Sequence, residues 1–533
     1  MTDAEQVKIL TKQNEELRAM IAELNATIAN LNETVKYLTN KIYGTKREKT
    51  PDPNQLTLDL DCFNEAEKYA DPNEKEPDAE EVTVSFKTKK GNHKGRKDIF
   101  DGIPIKKIVC SLEDIFCPGC GAEMIVIGEK FDREELHIIP AKLVRIHYYK
   151  QVYKCTSCED KQEHPVIIEA ETPYPLMAHS LSAPSTVAHV MDRKYSYYET
   201  LYRLEKEYRQ MGVRITRGVM SNWIIYCSLH YLKPLYERLH EELVRRDILH
   251  ADETPCQVLK EDGRKAQSKS YMWTYVTGND GLPGITLYDY KPGRSGTFPK
   301  EFLKGFEGFL HCDGYQGYNN MEDIERIGCL AHARRYFYEA IPVNPKADIS
   351  GNPAVIGVNY YNSLFMTERL LKGKTPEEIK RVRNEKEAPI LEEFFKWLDT
   401  LNPTGGSRLE KAVNYSIHQK QNLLGYLKDG RLEISNNSAE RKCRAYALGR
   451  RNFLFHDTVD GAEASSIVYS IVETAKMNGL NTYSYLYQLL LHMPGCVYGA
   501  EDIEEMLPWS EFMQESCTKV KIEEYDAKPV GMK

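Results

Sequence analysis

The sequence predicts a multidomain α/β protein, and three observations predict it. A heptad repeat runs unbroken through the first forty-odd residues, two Cys-x-x-Cys pairs follow, and β-prone and helix-prone runs alternate after residue 243. With 533 residues the chain has room for several domains and an ample core. Its 13 cysteines are an odd number, and four of them stand in the two pairs. That usage points to a reducing cytoplasm with metal-bound thiolates and away from a disulfide framework. No segment approaches the run of about 20 apolar residues that spans a bilayer, and the polar N-terminus lacks a secretory signal pattern. The formal net charge of −8 does not exclude a nucleic-acid partner, because phosphates are met by local basic surfaces.

Residues 1–44 carry the heptads. Val7, Asn14, Ile21, Ile28, Val35 and Ile42 fall at a positions, with Leu10, Leu17, Leu24, Leu31 and Leu38 at the d positions between them. β-Branched a residues with Leu at d favour a parallel two-stranded coil, and the one Asn fixes register and oligomer state. A homodimer, or a higher oligomer built on it, is expected. Residues 45–108 read as a charged linker that ends in a basic arm containing Lys89, Lys90, Lys94, Arg96 and Lys97. Such an arm is either a solvated charge run or a tracker of DNA phosphates. Residues 109–165 hold Cys117-Pro-Gly-Cys120-Gly and Cys155-Thr-Ser-Cys158. Each pair offers two sulfurs to one tetrahedral centre, and four complete a structural Zn²⁺ ribbon. Cys110 and His164 are expected to stand outside it.

Residues 166–242 read as a helical module. A helix over 198–210, a turn at Gly212 and Val213, and a helix over 216–226 capped by Thr216 form a helix-turn-helix pattern. Val219, Trp223 and Ile224 are expected to face the core, leaving Arg214, Arg217, Ser221 and Asn222 for a DNA groove. An ordinary helical hairpin has the same pattern.

In residues 243–341 strands are expected over 247–250, 271–277, 285–290 and 309–312, with a short helix over 295–303. Asp252, in His-Ala-Asp-Glu-Thr-Pro, would end the first strand, and Asp313, in His-Cys-Asp-Gly-Tyr, the fourth. Residues 342–428 read as a helical insertion, 429–480 as the last part of the same domain, and 481–533 as a C-terminal helical tail. Glu440 opens the helix-prone stretch after the insertion. Two strand-end carboxylates plus one on a late helix is the layout of a ribonuclease-H-like site, in which two Mg²⁺ (or Mn²⁺) ions serve phosphodiester chemistry. Plainer readings stand beside it. The chain has 79 Asp and Glu residues, so any three are easily found. Asn437 followed by Glu440 also approximates a helix capping box. The order of elements between the acids favours the site. Arg444 lies one turn beyond Glu440, where an i,i+4 ion pair is available, while Arg450 and Arg451 suit phosphate binding. Cys329-x-x-His332 offers too few ligands for zinc and reads as support for the site.

The residues then become specific. LHADETP around Asp252, HCDGYQGYN around Asp313, GCLAHARRYF at 328–337 and ISNNSAERKCRAYALGRRNFLFHD at 434–457 resemble the transposases of the insertion sequence 66 family. SIVETAKMNGLNTYSYL at 470–486 and LPW at 507–509 extend the resemblance over essentially the whole chain. Ser435, Ala445 and Phe453 depart from the family's usual Asp, Pro and Trp, and none of these is a presumed metal ligand. The resemblance implies a DDE transposase that binds transposon ends and target DNA and performs metal-dependent strand cleavage and transfer. It also implies a zinc-binding domain, an insertion domain and possible dependence on accessory proteins of the same element. A silent DNA-binding regulator and a nuclease that never joins strands are the alternatives.

Overall fold

The computed structural model describes residues 151–154, 167–169, 175–319, 321–342 and 351–518. The coil, the basic arm and all four cysteines of the predicted ribbon lie outside them. The chain divides into two compact units. In the described part of one, β1 (Val152–Lys154) pairs antiparallel with β2 (Ile167–Glu169). Everything below belongs to the other.

That unit opens with α1 (Pro184–Tyr195), α2 (Leu201–Gln210), α3 (Arg217–Cys227) and α4 (Lys233–Val244). Thr200 caps α2 and Thr216 caps α3, each accepting a backbone N–H in the first turn. The helix expected from 198 therefore starts at Leu201, because Tyr198 sits at φ 58° and cannot continue a right-handed helix. Gly212, at φ 87°, makes the expected turn.

The sheet follows. β3 (Ile248–Cys256), β5 (Ser270–Thr277) and β6 (Thr286–Lys291) form an antiparallel meander, with β4 (Val258–Lys260) branching off before β5. After α5 (Thr297–Phe302), β7 (Gly308–Cys312) and β8 (Ile324–Gly328) add in parallel on the other side of β3. The spatial order is β6-β5-β3-β7-β8. Gly308 has φ 148°, and a side chain there would collide with the backbone of Asp247, so glycine lets β7 start close beside β3.

Next come α6 (Leu330–Ala340), α7 (Pro353–Leu370), α8 (Pro376–Val382), α9 (Ala388–Leu398), α10 (Arg408–His418) and α11 (Lys420–Leu424). All but α8 share a core in which Phe337, Tyr361, Phe394 and Leu398 pack with Ile327 of β8. The chain returns through α12 (Asn437–Phe453), β9 (His456–Thr458), α13 (Val459–Met477), α14 (Thr482–Val497) and α15 (Glu511–Cys517). β9 pairs with β4, and α13 closes the free edge of the sheet. The β6 amides of Thr286 and Tyr288 donate to Thr474 Oγ1 and Ser470 Oγ of α13 at 3.0 and 2.8 Å, which satisfies groups an open edge would leave bare. Leu486, Leu489 and Met493 of α14 join Val187 and Met191 of α1 in the main core.

Candidate active site

Asp252 does not end its strand. The parallel pairing of β3 with β7 stops at His250, but the antiparallel pairing with β5 carries β3 on to Cys256, with Asp252 opposite Thr274. Asp252 thus stands just past the last residue of the parallel ladder, and Asp313 follows β7 directly. The sequence read the first strand too short because the polar run through Asp252, Glu253 and Thr254 lacks strand propensity, and pairing with β5 overrides it. Cys443 of α12 donates to Thr274 Oγ1 at 3.2 Å, so the first turns of α12 cross β3 at Asp252. Glu440 lies one turn earlier on that helix.

The Asp252 carboxyl feels the other acids. Burial, followed by repulsion from Glu253, Asp313 and Glu440, pushes the Asp252 carboxyl up to about 8. Its Oδ1 accepts the Glu253 N–H at 2.9 Å, and Asp313 Oδ1 accepts the Tyr315 N–H at 2.9 Å in an Asx turn. Glu440 approaches α6: Oε1 is 3.5 Å from His332 Nδ1, and Oε2 is 3.8 Å from Arg335. Glu440 Oε1 is nonetheless buried without a hydrogen-bond partner. The capping box does not form, because the N-cap is Asn436 and its side chain caps nothing. Instead Asn436 Nδ2 donates to the Ala251 carbonyl at 2.8 Å, its Oδ1 meets His250 Nδ1 at 3.1 Å, and its backbone N–H donates to Cys329 Sγ at 3.2 Å.

Cys329, His332 and Glu440 carry ligand atoms within 4.8 Å of one another. Burial holds the Cys329 thiol up at about 12, and its sulfur already accepts from Asn436, so its visible task is to tie α6 to α12. Sequence reasoning missed Asn436, although it sits within the quoted Ser-Asn-Asn stretch. It also missed Glu253, whose carboxylate accepts from Arg294 Nε at 2.6 Å and from Tyr318 Oη at 2.7 Å. Burial raises the Glu253 carboxyl despite these two partners.

Arg214, Arg217 and Asn222 are exposed on and before α3, and Trp223 and Ile224 are buried. Val219 is a correction: it was expected in the core and is 42% exposed, since the first turn of α3 projects beyond the packing. On α12, Arg444 and Arg450 are half-buried and Arg451 is exposed. Among the described residues, no helix is long and apolar enough to cross a membrane.

Family comparison matches residues 179–464 to the transposase IS66 family. The chain belongs to that family. It is a DDE transposase and binds DNA. Further matches are a zinc-finger binding domain of transposase IS66 at 114–159, an IS66 C-terminal element at 470–509, and a segment described as transposase C of IS166 homeodomain at 30–108. Similar curated proteins include the uncharacterized y4jD and y4qI of Sinorhizobium fredii (strain NBRC 101917 / NGR234). The first is 26% identical, over 89% of this chain and 93% of its own length; the second is 28% identical, over 73% and 72%. Among solved structures, a chain of the Drosophila P element transposase strand transfer complex aligns at a TM-score of 0.32 and 8% identity, covering 56% of this chain and 94% of that one.

Proposed function

We propose that this IS66-family transposase cleaves and joins DNA with Asp252, Asp313 and Glu440 on a ribonuclease-H-like sheet, the three carboxylates holding two Mg²⁺ or Mn²⁺ ions. One observation carries the reading. The buried Asp252 carboxyl on β3 feels the charges of Asp313, at the end of β7, and of Glu440, on α12, and the Oε1 of Glu440 is buried with no partner. An oxygen-only set of this kind suits hard divalent cations. When bound, such ions supply the positive charge that activates an oxygen nucleophile and stabilises the leaving oxygen. A three-strand antiparallel meander extended by two parallel strands at its first member supports the fold assignment.

The chain's own residues orient the site. Asn436 pins the start of α12 to β3, His332 and Arg335 flank the Glu440 carboxylate, and the Tyr315 N–H turns Asp313. Beyond Glu440, Arg444 and Arg451 recur at helical spacing along one face of α12, a basic rail that reaches roughly 16 Å from the carboxylate, with Arg450 beside it for backbone phosphates. Water attacks first and frees a 3′-hydroxyl at the transposon end. That hydroxyl then attacks a phosphodiester of target DNA and displaces a target 3′-oxygen, so no covalent enzyme intermediate forms. Arg214, Arg217 and Asn222 contact the transposon ends, aided by Lys89, Lys90, Lys94, Arg96 and Lys97. Cys117, Cys120, Cys155 and Cys158 hold one structural Zn²⁺, residues 1–44 pair two copies, and the protein works in the bacterial cytoplasm, with accessory proteins of the same element as possible partners.

Labelled ends taken from the DNA that flanks the gene test this reading. A joined product that requires Mg²⁺ is expected; hydrolysis without joining would leave a nuclease, and binding without either would leave a regulator. Metal analysis of protein prepared without chelator should find one Zn²⁺ per chain, lost in Cys117→Ser. Equal zinc in both would remove Cys117 from the set.

A further inference from the structure

Away from the carboxylates, a cavity of about 430 Å³ opens where α1, α2, α3 and the end of α12 meet. Its walls include Lys194, Tyr202, Arg217, Asn452 and Phe453. Tyr202 is half-exposed, with Lys206 Nζ 4.6 Å and the Arg217 guanidinium 5.8 Å from its ring centre. Lys194 Nζ lies 5.9 Å from the ring of Phe453. Asn452 Nδ2 donates to the Tyr198 carbonyl at 2.8 Å and ties the end of α12 to the α1–α2 connection. The acid in the wall, Glu199, is neutralised by Arg193 at 2.6 Å. Tyr202 and Phe453, the latter held in place by Tyr446 and His456 with ring centres 6.1 and 5.0 Å away, border a space larger than one base with cations beside them, the make-up of a stacking platform for a nucleobase rather than a groove for a paired duplex.

The next residue supplies a second observation. Leu454 is held at φ 67°, a conformation that non-glycine residues avoid, and its apolar side chain is 64% exposed beside Phe455, itself 43% exposed. Exposed apolar side chains next to a basic stretch can enter a base step and unstack it. We infer that Leu454 acts as a wedge and that the adjoining cavity receives one unstacked base of the bound DNA between Tyr202 and Phe453. Helical rise sets Phe453 about 20 Å along α12 from Glu440, the length of about six base pairs of duplex. This inference rests on the DNA-binding function and adds an opened base pair to it.

The test uses full-length protein and two short duplexes, one fully paired and one with a single unpaired base, compared by anisotropy at fixed salt. The unpaired base should strengthen binding about tenfold in wild type, the factor expected from stacking one base. Tyr202→Ala should bring the ratio near one, while Tyr202→Phe keeps it. An equal affinity for both duplexes in wild type, or an unchanged ratio in Tyr202→Ala, overturns the base pocket alone. Failure to bind either duplex overturns the DNA reading as well. For the wedge, permanganate should attack a thymine of the paired duplex in the wild-type complex but not in the Leu454→Gly complex. Leu454→Gly also relieves the left-handed strain, so it should melt no lower than wild type. Equal thymine reactivity in both complexes overturns the wedge.

Discussion

The carboxylate site and the helical segment between α6 and α12 both bury acidic side chains, and they differ in the cation that accompanies them. In the helices Arg383 is 3% exposed, yet its guanidinium donates to Glu368 at 2.6 and 2.9 Å and to the Tyr426 and Asp429 carbonyls. Nearby, Glu387 accepts from Tyr426 Oη at 2.7 Å. Arg383 thus has its complement, the arrangement that a buried ion needs in order to hold a fold together, while Glu387 keeps its other oxygen buried without a partner and burial pushes its carboxyl up to about 7. At the end of the parallel ladder, the buried Asp252 carboxyl feels the charges of Glu253, Asp313 and Glu440 instead, and His332 and Arg335 stand 3.5 and 3.8 Å from Glu440. Under the proposed function this grouping of acids is where the divalent cations would sit.

The sharpest break of this contrast is chemical. Asp252→Asn, Asp313→Asn and Glu440→Gln should each lower strand transfer on the order of 10³-fold or more, while the melting temperature holds or rises as repulsion is relieved. Near-normal joining by any one variant would remove that residue from the site. Arg383→Met should show the reverse. It strands the Glu368 carboxylate and two carbonyls and should cost about 3–5 kcal/mol in denaturant unfolding, with activity per folded molecule unchanged. A cost below about 1 kcal/mol would show that the network is not structural.

Asn436→Ala joins the two effects. Losing its bonds to Ala251 and His250 should cost about 1–3 kcal/mol and raise the Mg²⁺ concentration needed for half-maximal joining. A stability loss without a shifted Mg²⁺ requirement would make Asn436 a strut and nothing more.

The smallest effect is at neutral pH and grows in acid. Burial, then Lys194, holds the His456 imidazole down at about 3, and Tyr446 Oη meets its Nε2 at 2.9 Å. A group whose folded pKa lies below its unfolded value of about 6.5 gives its full stability above pH 6.5 and loses it as pH falls toward 3. Unfolding free energy should therefore drop by about 2 kcal/mol between pH 7 and 5 on account of His456. His456→Gln should flatten that slope; an unchanged slope would assign the acid sensitivity elsewhere.

The sequence by itself marked several of the elements and singled out the acids as candidates. β-Branched and aromatic runs marked β5 and β6, glycine and threonine marked the turn and cap before α3, and Asp252, Asp313 and Glu440 stood out by their settings. These signals are local, since propensity, turn chemistry and capping act within a few residues. Only the tertiary structure decided what required distant partners. It extended β3 past Asp252 because β5 pairs with it, and it turned Asn436 away from its own helix toward Ala251 and His250, 185 and 186 residues away. It also buried α14 against α1, gathered Tyr202 and Phe453 around one cavity, and set Glu440 against His332 and Arg335. Charge repulsion, edge pairing and cavity shape depend on groups far apart in the chain, and a local reading cannot bring them together.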